Sequence, residues 1–125
     1  MKKNDISINI ISSFNHANFV SLLKNSSDFN WKINDTDYNQ VFQILTDSNA
    51  KIWKKKTNIT LVWTTPDSVS SEFHKLQQKE KVNADLIKKD IEYFCSCLKS
   101  IKNHSDIVLV PNWILKLPEE DNLAF

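Results

Sequence analysis

Two patterns of hydrophobic and polar positions alternate along this chain. Short apolar segments rich in β-branched and aromatic residues predict strands at residues 6–12, 29–33, 58–63 and 107–110. Apolar residues recurring at helical spacing predict helices at residues 17–24 and 38–45, another turn of helix at 50–53, and a long helical region from about 66 to 102. Polar turns rich in Asn, Asp and Ser separate the segments. The predicted order of elements is therefore β-α-β-α-β-α-β.

The connections between the predicted strands favour a parallel sheet. Each is long enough for a helical crossover, and none carries a tight hairpin signal. We therefore predict an α/β fold over residues 1–125: a three-layer, flavodoxin-like parallel sheet of about four strands with crossover helices. Ligands of such sheets bind beyond the carboxyl ends of the strands. Those ends lie at Ser12-Ser13, Asn34-Asp35, Trp63-Thr64 and Asn112-Trp113.

The last predicted strand, residues 107–110, is apolar at every position, as is typical of an interior strand. Few residues follow it, so we expect an unpaired apolar edge, which proteins usually avoid. We infer that the chain is the front part of a longer domain, or that a partner or second copy pairs with this strand. A further apolar stripe packs against the sheet or against a partner helix, and its members are Ile87, Ile91, Phe94, Leu98 and Ile101.

The absence of glycine from all 125 residues removes several classes of function. The phosphate loop of P-loop proteins, the dinucleotide-binding turn and the nucleophile elbow of α/β-hydrolases all require glycines. The net charge of +1 argues against a nucleic-acid binder. No apolar run approaches the roughly 18 residues of a membrane span, and the amino terminus does not resemble a secretory signal. We therefore expect a cytoplasmic protein, with Cys95 and Cys97 as free thiols.

One cluster of charge stands out. Lys51, Lys54, Lys55 and Lys56 surround Trp53 just before the third predicted strand. This segment is either a solvated loop or a basic aromatic patch that meets an acidic carrier protein or a phosphate.

Three stretches of the sequence carry a resemblance to a known family. They are residues 10–15 (IISSFN) followed by Phe19 and Leu22-Leu23, residues 38–49 (YNQVFQILTDSN), and residues 58–67 (NITLVWTTPD). Together they resemble the amino-terminal domain of FkbH-like proteins over about the whole chain.

The resemblance implies an SGNH-hydrolase-like domain that precedes a haloacid-dehalogenase-like domain carrying the phosphate chemistry with Mg²⁺. Members of the family load a glyceryl unit from a glycolytic phosphate onto an acyl carrier protein, or serve related polyketide, peptide or surface-glycan pathways. Asp35-Thr36-Asp37 has the spacing of the phosphatase motif but lies in a loop, and we interpret it as a helix cap. We therefore expect Mg²⁺ only in a separate phosphatase-like domain, and no cofactor in this chain.

The SGNH resemblance also suggests site residues. Ser12 or Ser13 matches the nucleophile position, although Phe14 could equally occupy it; Asn39 stands at the donor glycine, and Thr64-Thr65 replaces the asparagine block. The Asp-x-x-His pair that would supply the base falls beyond residue 125. We interpret both serines as turn and cap residues more readily than as nucleophiles. The histidines are interpreted as surface or cap residues without an acid partner at a strand end, and they are His16, His74 and His104.

Three functions remain open. The first is a recognition domain of an FkbH-like biosynthetic protein, binding an acyl carrier protein or a downstream catalytic domain, without complete catalytic machinery. The second is an SGNH-type acyl esterase or transferase whose base lies outside the chain. The third is a small docking protein that pairs through its last strand and the apolar stripe. The candidate catalytic residues are Ser12 and Ser13, and the candidate binding residues are Asn39, Thr64, Asn34 and Asn112.

Overall fold

Four parallel strands form one sheet in the computed structural model, which describes residues 4–26 and 28–113. The strands are β1 (Asn4–Ser12), β2 (Phe29–Asp35), β3 (Thr57–Trp63) and β4 (Ser105–Leu109). The helices are α1 (Ala17–Lys24), α2 (Val41–Leu45), α3 (Pro66–Val69), α4 (Glu72–Gln77) and α5 (Ala84–Ser100), with short 3₁₀ helices at Lys51–Trp53 and Lys102–His104. The predicted α/β fold with a four-stranded parallel sheet is confirmed.

The strands lie in the order β2-β1-β3-β4, so β1 and β3 are central and β2 and β4 are the edges. The chain moves outward from β1 to β2 and later outward in the other direction from β3 to β4. The strand order therefore reverses between β1 and β3, where Ser12 pairs with Trp63. In open α/β sheets this reversal opens a crevice at the carboxyl ends of the strands.

Each face of the sheet carries its own apolar cluster. On one face, Ile11 and Val62 pack beneath residues of α2 and α5, including Ile44 and Phe94. On the other face, α1 contributes Val20 to a smaller cluster whose sheet residues are Ile8, Ile10 and Leu61. The predicted apolar stripe on α5 packs into the first cluster through Phe94, Leu98 and Ile101.

A buried ladder of polar side chains crosses the sheet on the α5 face. Asn9, which is fully buried, donates its two amide N–H groups to Thr57 Oγ1 at 3.1 Å and Thr60 Oγ1 at 3.2 Å. Its oxygen accepts from Asn34 Nδ2 at 3.2 Å. Ser105 Oγ contacts both threonine hydroxyls, and lies 2.7 Å from that of Thr57. Because these buried groups satisfy one another, the ladder links all four strands without an unpaired polar atom at Asn9.

The prediction of one long helical region between about 66 and 102 is wrong, because the chain forms three separate helices there. Helix α3 begins at Pro66 with Thr65 in the cap position. Ser70 is extended (φ −141°, ψ 119°) and separates α3 from α4. Lys79, with φ of 59°, lies between α4 and α5. Residues 77–84 carry few apolar side chains, so they offer no helical face to bury.

Buried Glu72 at the start of α4 holds the connection to α5. Its carboxylate accepts from Lys75 Nζ at 2.9 Å and from the backbone N–H of Asn83 at 3.2 Å. The Lys75 hydrogen bond and then that from Asn83 hold the pKa of Glu72 below its ordinary value of 4.5, and outweigh the opposing effect of desolvation. The connection is therefore stabilised by a charge-assisted pair.

The predicted helix 38–45 begins later than the sequence indicated, at Val41 with Gln40 in the cap position. Tyr38 lies outside it and is exposed, and Asn39 adopts a left-handed backbone with φ of 65°. The interpretation of Asp35-Thr36-Asp37 as a helix cap is therefore wrong: β2 runs on to Asp35, two residues past its predicted end. In a chain without glycine, Asn is the residue that adopts this conformation at least cost.

Strand β4 has the exposed apolar side chains that the sequence predicted. Ile107 is 53% exposed and Leu109 is 46% exposed, on the face where α1 covers the other strands. The expectations for the tail after this strand concern residues 114–125, which lie outside the described part of the chain. Among the described residues, no helix is long and apolar enough to cross a membrane.

Candidate functional site

The carboxyl ends of β1 and β3 lie side by side where the strand order reverses. The backbone N–H of Ser13 donates to the carbonyl of Trp63 at 3.1 Å, so the pairing of the two strands continues one residue past β1. The N–H of Asn39 donates to the carbonyl of Ser12 at 2.9 Å. The loop before α2 is thereby attached to the end of β1, and the left-handed backbone at Asn39 allows the chain to turn there.

A cleft of about 200 Å³ opens at this point. Its polar lining is uncharged and carries hydroxyl and amide groups; the residues around it are Ser13, Asn39, Gln40, Val41, Phe42, Gln43 and Ser68. The Ser13 hydroxyl accepts from the backbone N–H of Thr65 at 3.0 Å. The Ser68 hydroxyl donates to the carbonyl of Thr65 at 2.6 Å. Both serines are therefore tied to the β3–α3 turn, and the cleft suits hydrogen bonding to a small polar group.

Ser12 is not part of the cleft lining, and it forms a second polar cluster with two residues that the sequence did not connect to it. Its hydroxyl donates to the carbonyl of Phe14 at 2.7 Å, and its oxygen lies 2.5 Å from Nδ1 of His16. Nε2 of His16 lies 3.8 Å from Oδ2 of Asp35. A serine, a histidine and a carboxylate therefore follow one another in the order that nucleophilic catalysis uses.

The prediction that no histidine lies at a strand end with an acid partner is wrong for His16. The residue does occupy the cap position of α1, but it is buried and makes no capping hydrogen bond. Its acid partner comes from the neighbouring strand, because β2 pairs with β1 in a register that places Asp35 opposite Ile10. A serine four residues before a histidine, with an acid at the end of the next strand, is the signal that could have revealed the cluster.

This cluster is buried and therefore differs from an accessible catalytic site. Ser12 is 1% exposed and His16 is 6% exposed, so neither faces solvent. The side chains of Phe14 and Phe19 meet the ring of Trp63 edge to face, at centroid distances of 5.1 and 5.4 Å. Attack by Ser12 on a substrate would therefore require the β1–α1 turn to open.

The other predicted site residues are dispersed. Thr64 is buried, and its hydroxyl accepts from the indole N–H of Trp113 at 2.9 Å. Asn34 lies at the end of β2, where its amide donates to Asn9. Asn112 is exposed in the segment after β4. Ser12, Ser13 and Asn39 are thus brought together, whereas Thr64 packs against Trp113 and Asn34 faces a separate groove.

That groove, of about 640 Å³, runs along the carboxyl end of β2. One wall is formed by Ile33, Asn34, Asp35 and Thr36, and the other by Lys51, Ile52, Lys54 and Lys55. Trp53 does not form an exposed aromatic patch with these lysines. Its side chain is buried, donates to the carbonyl of Ile44 at 3.1 Å and stacks on His104.

A further cavity of about 350 Å³ lies between α2 and α5. Tyr93 and Cys97 line it, and their hydrogen bond raises the pKa of Tyr93 above its ordinary value of 10.0. Both cysteines are free thiols, Cys95 exposed and Cys97 buried. Within residues 4–26 and 28–113, no group of three or more His, Cys, Asp or Glu side chains is placed to hold a metal ion.

Comparison with known proteins identifies one family and one fold neighbour. A family model described as "FkbH, N-terminal domain" matches residues 15–114. The crystal structure of the N-terminal part of the protein BF1531 from Bacteroides fragilis, described as containing a phosphatase domain complexed with Mg, superposes with a TM-score of 0.68 at 12% identity. The alignment covers 94% of this chain and 31% of that one. No curated protein sequence matches the chain.

Proposed function

Because this chain belongs to the family of FkbH N-terminal domains, we propose that it is the recognition domain of an FkbH-like biosynthetic protein. In this proposal it holds an acyl carrier protein, or the acyl unit on that carrier, while a separate phosphatase-type domain performs the chemistry. The acyl unit derives from phosphoglycerate or a related compound, in a polyketide, other secondary-metabolite or surface-glycan pathway. The SGNH-like character of the domain belongs to this proposal.

One observation carries the proposal: the cleft at the strand-order reversal is equipped to bind rather than to react. The hydroxyls of Ser13 and Ser68 are engaged with the backbone of Thr65, and the adjacent side chains are amides. Uncharged donors and acceptors of this kind suit the amide and ester groups of an acyl chain. Its volume of about 200 Å³ admits the end of such a chain.

Titration of the chain with the acyl carrier protein of its host, loaded with a glyceryl thioester, tests this proposal. Exposed Gln43 lines the cleft, so Gln43→Arg should obstruct it and weaken binding at least tenfold. Gln77→Arg, at an exposed position of α4 away from the cleft, is the matched control and should change affinity less than twofold. A carrier that does not bind the wild-type chain, or binds both variants equally, would sink the proposal.

The cluster of Ser12, His16 and Asp35 favours a second candidate, an acyl transferase or esterase. In that reaction the Ser12 hydroxyl leaves the carbonyl of Phe14, its Oγ attacks the acyl carbon and its proton passes to Nδ1 of His16. The carboxylate of Asp35, 3.8 Å from Nε2, stabilises the positive charge on the imidazole. His16 then gives the proton to the departing thiolate or alkoxide. Water or an acceptor hydroxyl later removes the acyl group from Ser12.

A fluorophosphonate probe distinguishes the two candidates, since it reacts only with an activated serine. Labelling of the wild type that is lost in Ser12→Ala and His16→Gln, but retained in Ser13→Ala, would support the transferase. Absence of labelling at Ser12, under conditions where a serine hydrolase control is fully labelled, rejects it.

A further inference from the structure

The groove along the carboxyl end of β2 has an unbalanced charge. Lys51, Lys54 and Lys55 bring three ammonium groups to it, against the single carboxylate of Asp35. Among the described residues, none of these three lysines forms an ion pair, whereas the next residue, Lys56, contacts Asp106 Oδ1 at 3.4 Å. Like charges that share one concave surface raise the local positive potential and attract anions.

The charge of Asp35 is directed partly away from the groove. Its Oδ2 atom lies 3.8 Å from Nε2 of His16, behind the end of β2. Asn34 uses one of its two amide N–H donors for Asn9, and an amide has a second donor to offer an anion. The groove therefore combines three cationic groups with an amide, the inventory that suits an anion with several acceptor oxygens.

The rest of the lining indicates that the anion has an organic body. Ile52 contributes apolar surface, and the volume of about 640 Å³ lies within the range of small-molecule sites, about 300–1,000 Å³. An inorganic ion would fill only a small part of it. The groove ends at Thr36 and the polar cleft begins at Asn39, so the two sites lie on either side of one short loop.

We propose that this groove binds an organic phosphate ester, with the phosphate between Lys51, Lys54 and Lys55 and its organic body against Ile52. The inference rests on the proposed recognition function and specifies its ligand class. Two sources share this chemistry: the phosphopantetheine arm of a carrier protein, and a free phosphorylated acid. The phosphate anchors either ligand in the groove while its other end points to the cleft.

Calorimetric titration with two matched pairs of probes tests the inference and separates the sources. The pairs are pantetheine 4′-phosphate with pantetheine, and 3-phosphoglycerate with glycerate. At least one phosphate ester should bind tenfold or more tightly than its dephosphorylated partner, and affinity should fall with added salt. Preference for the first pair assigns the carrier arm, and preference for the second assigns a free metabolite. In ¹⁵N NMR spectra of the same titration, the shifts should centre on residues 33–36 and 51–55.

The variants use equal charge loss at two places. Lys51→Gln/Lys54→Gln/Lys55→Gln should weaken phosphate-ester binding at least tenfold. Lys88→Gln/Lys89→Gln/Lys99→Gln removes the same charge from exposed positions of α5 and should weaken it less than threefold. If both triple variants lose the same affinity for the phosphate ester, the effect comes from net charge alone and the inference is overturned. A hexa-aspartate peptide and inorganic pyrophosphate are compared as competitors of the probe. If the peptide displaces the probe equally well, the inference is overturned in favour of an acidic protein partner.

The experiment separates this inference from the recognition function. If the loaded carrier binds the wild type and the groove triple variant equally well and no phosphate ester binds the wild type, the recognition function stands and the phosphate groove is rejected. If the phosphate ester binds in a lysine-dependent way but no carrier binds, the groove stands and the recognition function is rejected.

Discussion

The two edge strands of this sheet differ in the surface that they expose. β2 ends in Asn34 and Asp35 beside three lysines, and its apolar side chains Trp31 and Ile33 pack beneath α1. On β4, the apolar side chains of Ile107 and Leu109 are themselves exposed. The first edge thus suits polar and anionic ligands, whereas the second suits an apolar partner.

The position of α1 accounts for the difference. This helix follows β1 and precedes β2, so it packs over the half of the sheet that those strands form. Its cluster extends to Ile59 and Leu61 of β3 and includes no residue of β4. Ile107 and Leu109 pair with these two β3 residues and share their face, but lie beyond the reach of the helix. Helix cover, rather than strand composition, therefore decides which apolar residues enter the core.

The largest expected effect comes from two leucines that face each other across β3 and β4. Leu61 is 6% exposed and Leu109 is 46% exposed, although they are paired in register. Leu61→Ala should lower the free energy of unfolding by about 2–5 kcal/mol, because it leaves a cavity beneath α1. Leu109→Ala should lower it by less than about 1 kcal/mol. Urea unfolding measures both variants. Similar losses in the free energy of unfolding would show that α1 does not cover Leu61 and Leu109 to different extents.

The next effect concerns the polar ladder that joins the two edges. Asn9→Ala removes partners of Asn34, Thr57 and Thr60 inside the sheet. The loss of these three hydrogen bonds, two of them to buried threonine hydroxyls, should lower the free energy of unfolding by about 1–3 kcal/mol. The exposed Asn30→Ala, at the β2 edge, is the control and should have little effect. If Asn9→Ala were neutral in urea unfolding, the ladder would not couple the strands energetically.

Glu72 lies in α4 and so in neither edge strand. Its protonation makes the free energy of unfolding depend on pH, whatever surface each edge exposes. Its folded-state pKa is lowered by Lys75 and the N–H of Asn83, so it adds stability above its ordinary pKa of 4.5. That contribution is lost as the pH falls from about 5 through the lowered value. Glu72→Gln should therefore flatten the dependence of stability on pH in this acidic range, and Lys75→Gln should flatten it partly. Thermal unfolding between pH 3 and pH 7 checks this, and a slope that stays unchanged in Glu72→Gln would contradict it.

The smallest expected change in stability comes from charges on the apolar edge. Ile107→Lys/Leu109→Lys should alter the free energy of unfolding by less than about 1 kcal/mol, because both side chains are largely exposed. It should reduce the binding of a hydrophobic dye and any self-association seen by light scattering at high concentration. A wild-type chain that stays monomeric at high concentration would argue against pairing of two copies through β4, which remains a prediction.

Much of the fold could be predicted because the signals are local. The four strands, α1 and the parallel arrangement follow from apolar periodicity and from the length of the connections. The errors occur where local periodicity was weak, as between Gln77 and Ala84, or where a left-handed residue displaced a helix start, as at Asn39. The family was also predicted, whereas the SGNH-like character and the carrier protein remain proposals.

The sequence by itself determined the order of elements, the absence of glycine-based phosphate loops and the apolar character of the last strand, because each depends on residues close together in the chain. Only the tertiary structure decided that Asp35 meets His16, that Trp113 donates to Thr64 and that three lysines face the end of β2. The strand order β2-β1-β3-β4 creates these neighbours. That order results from how the crossover helices pack on the two faces, and such packing joins residues far apart in the chain.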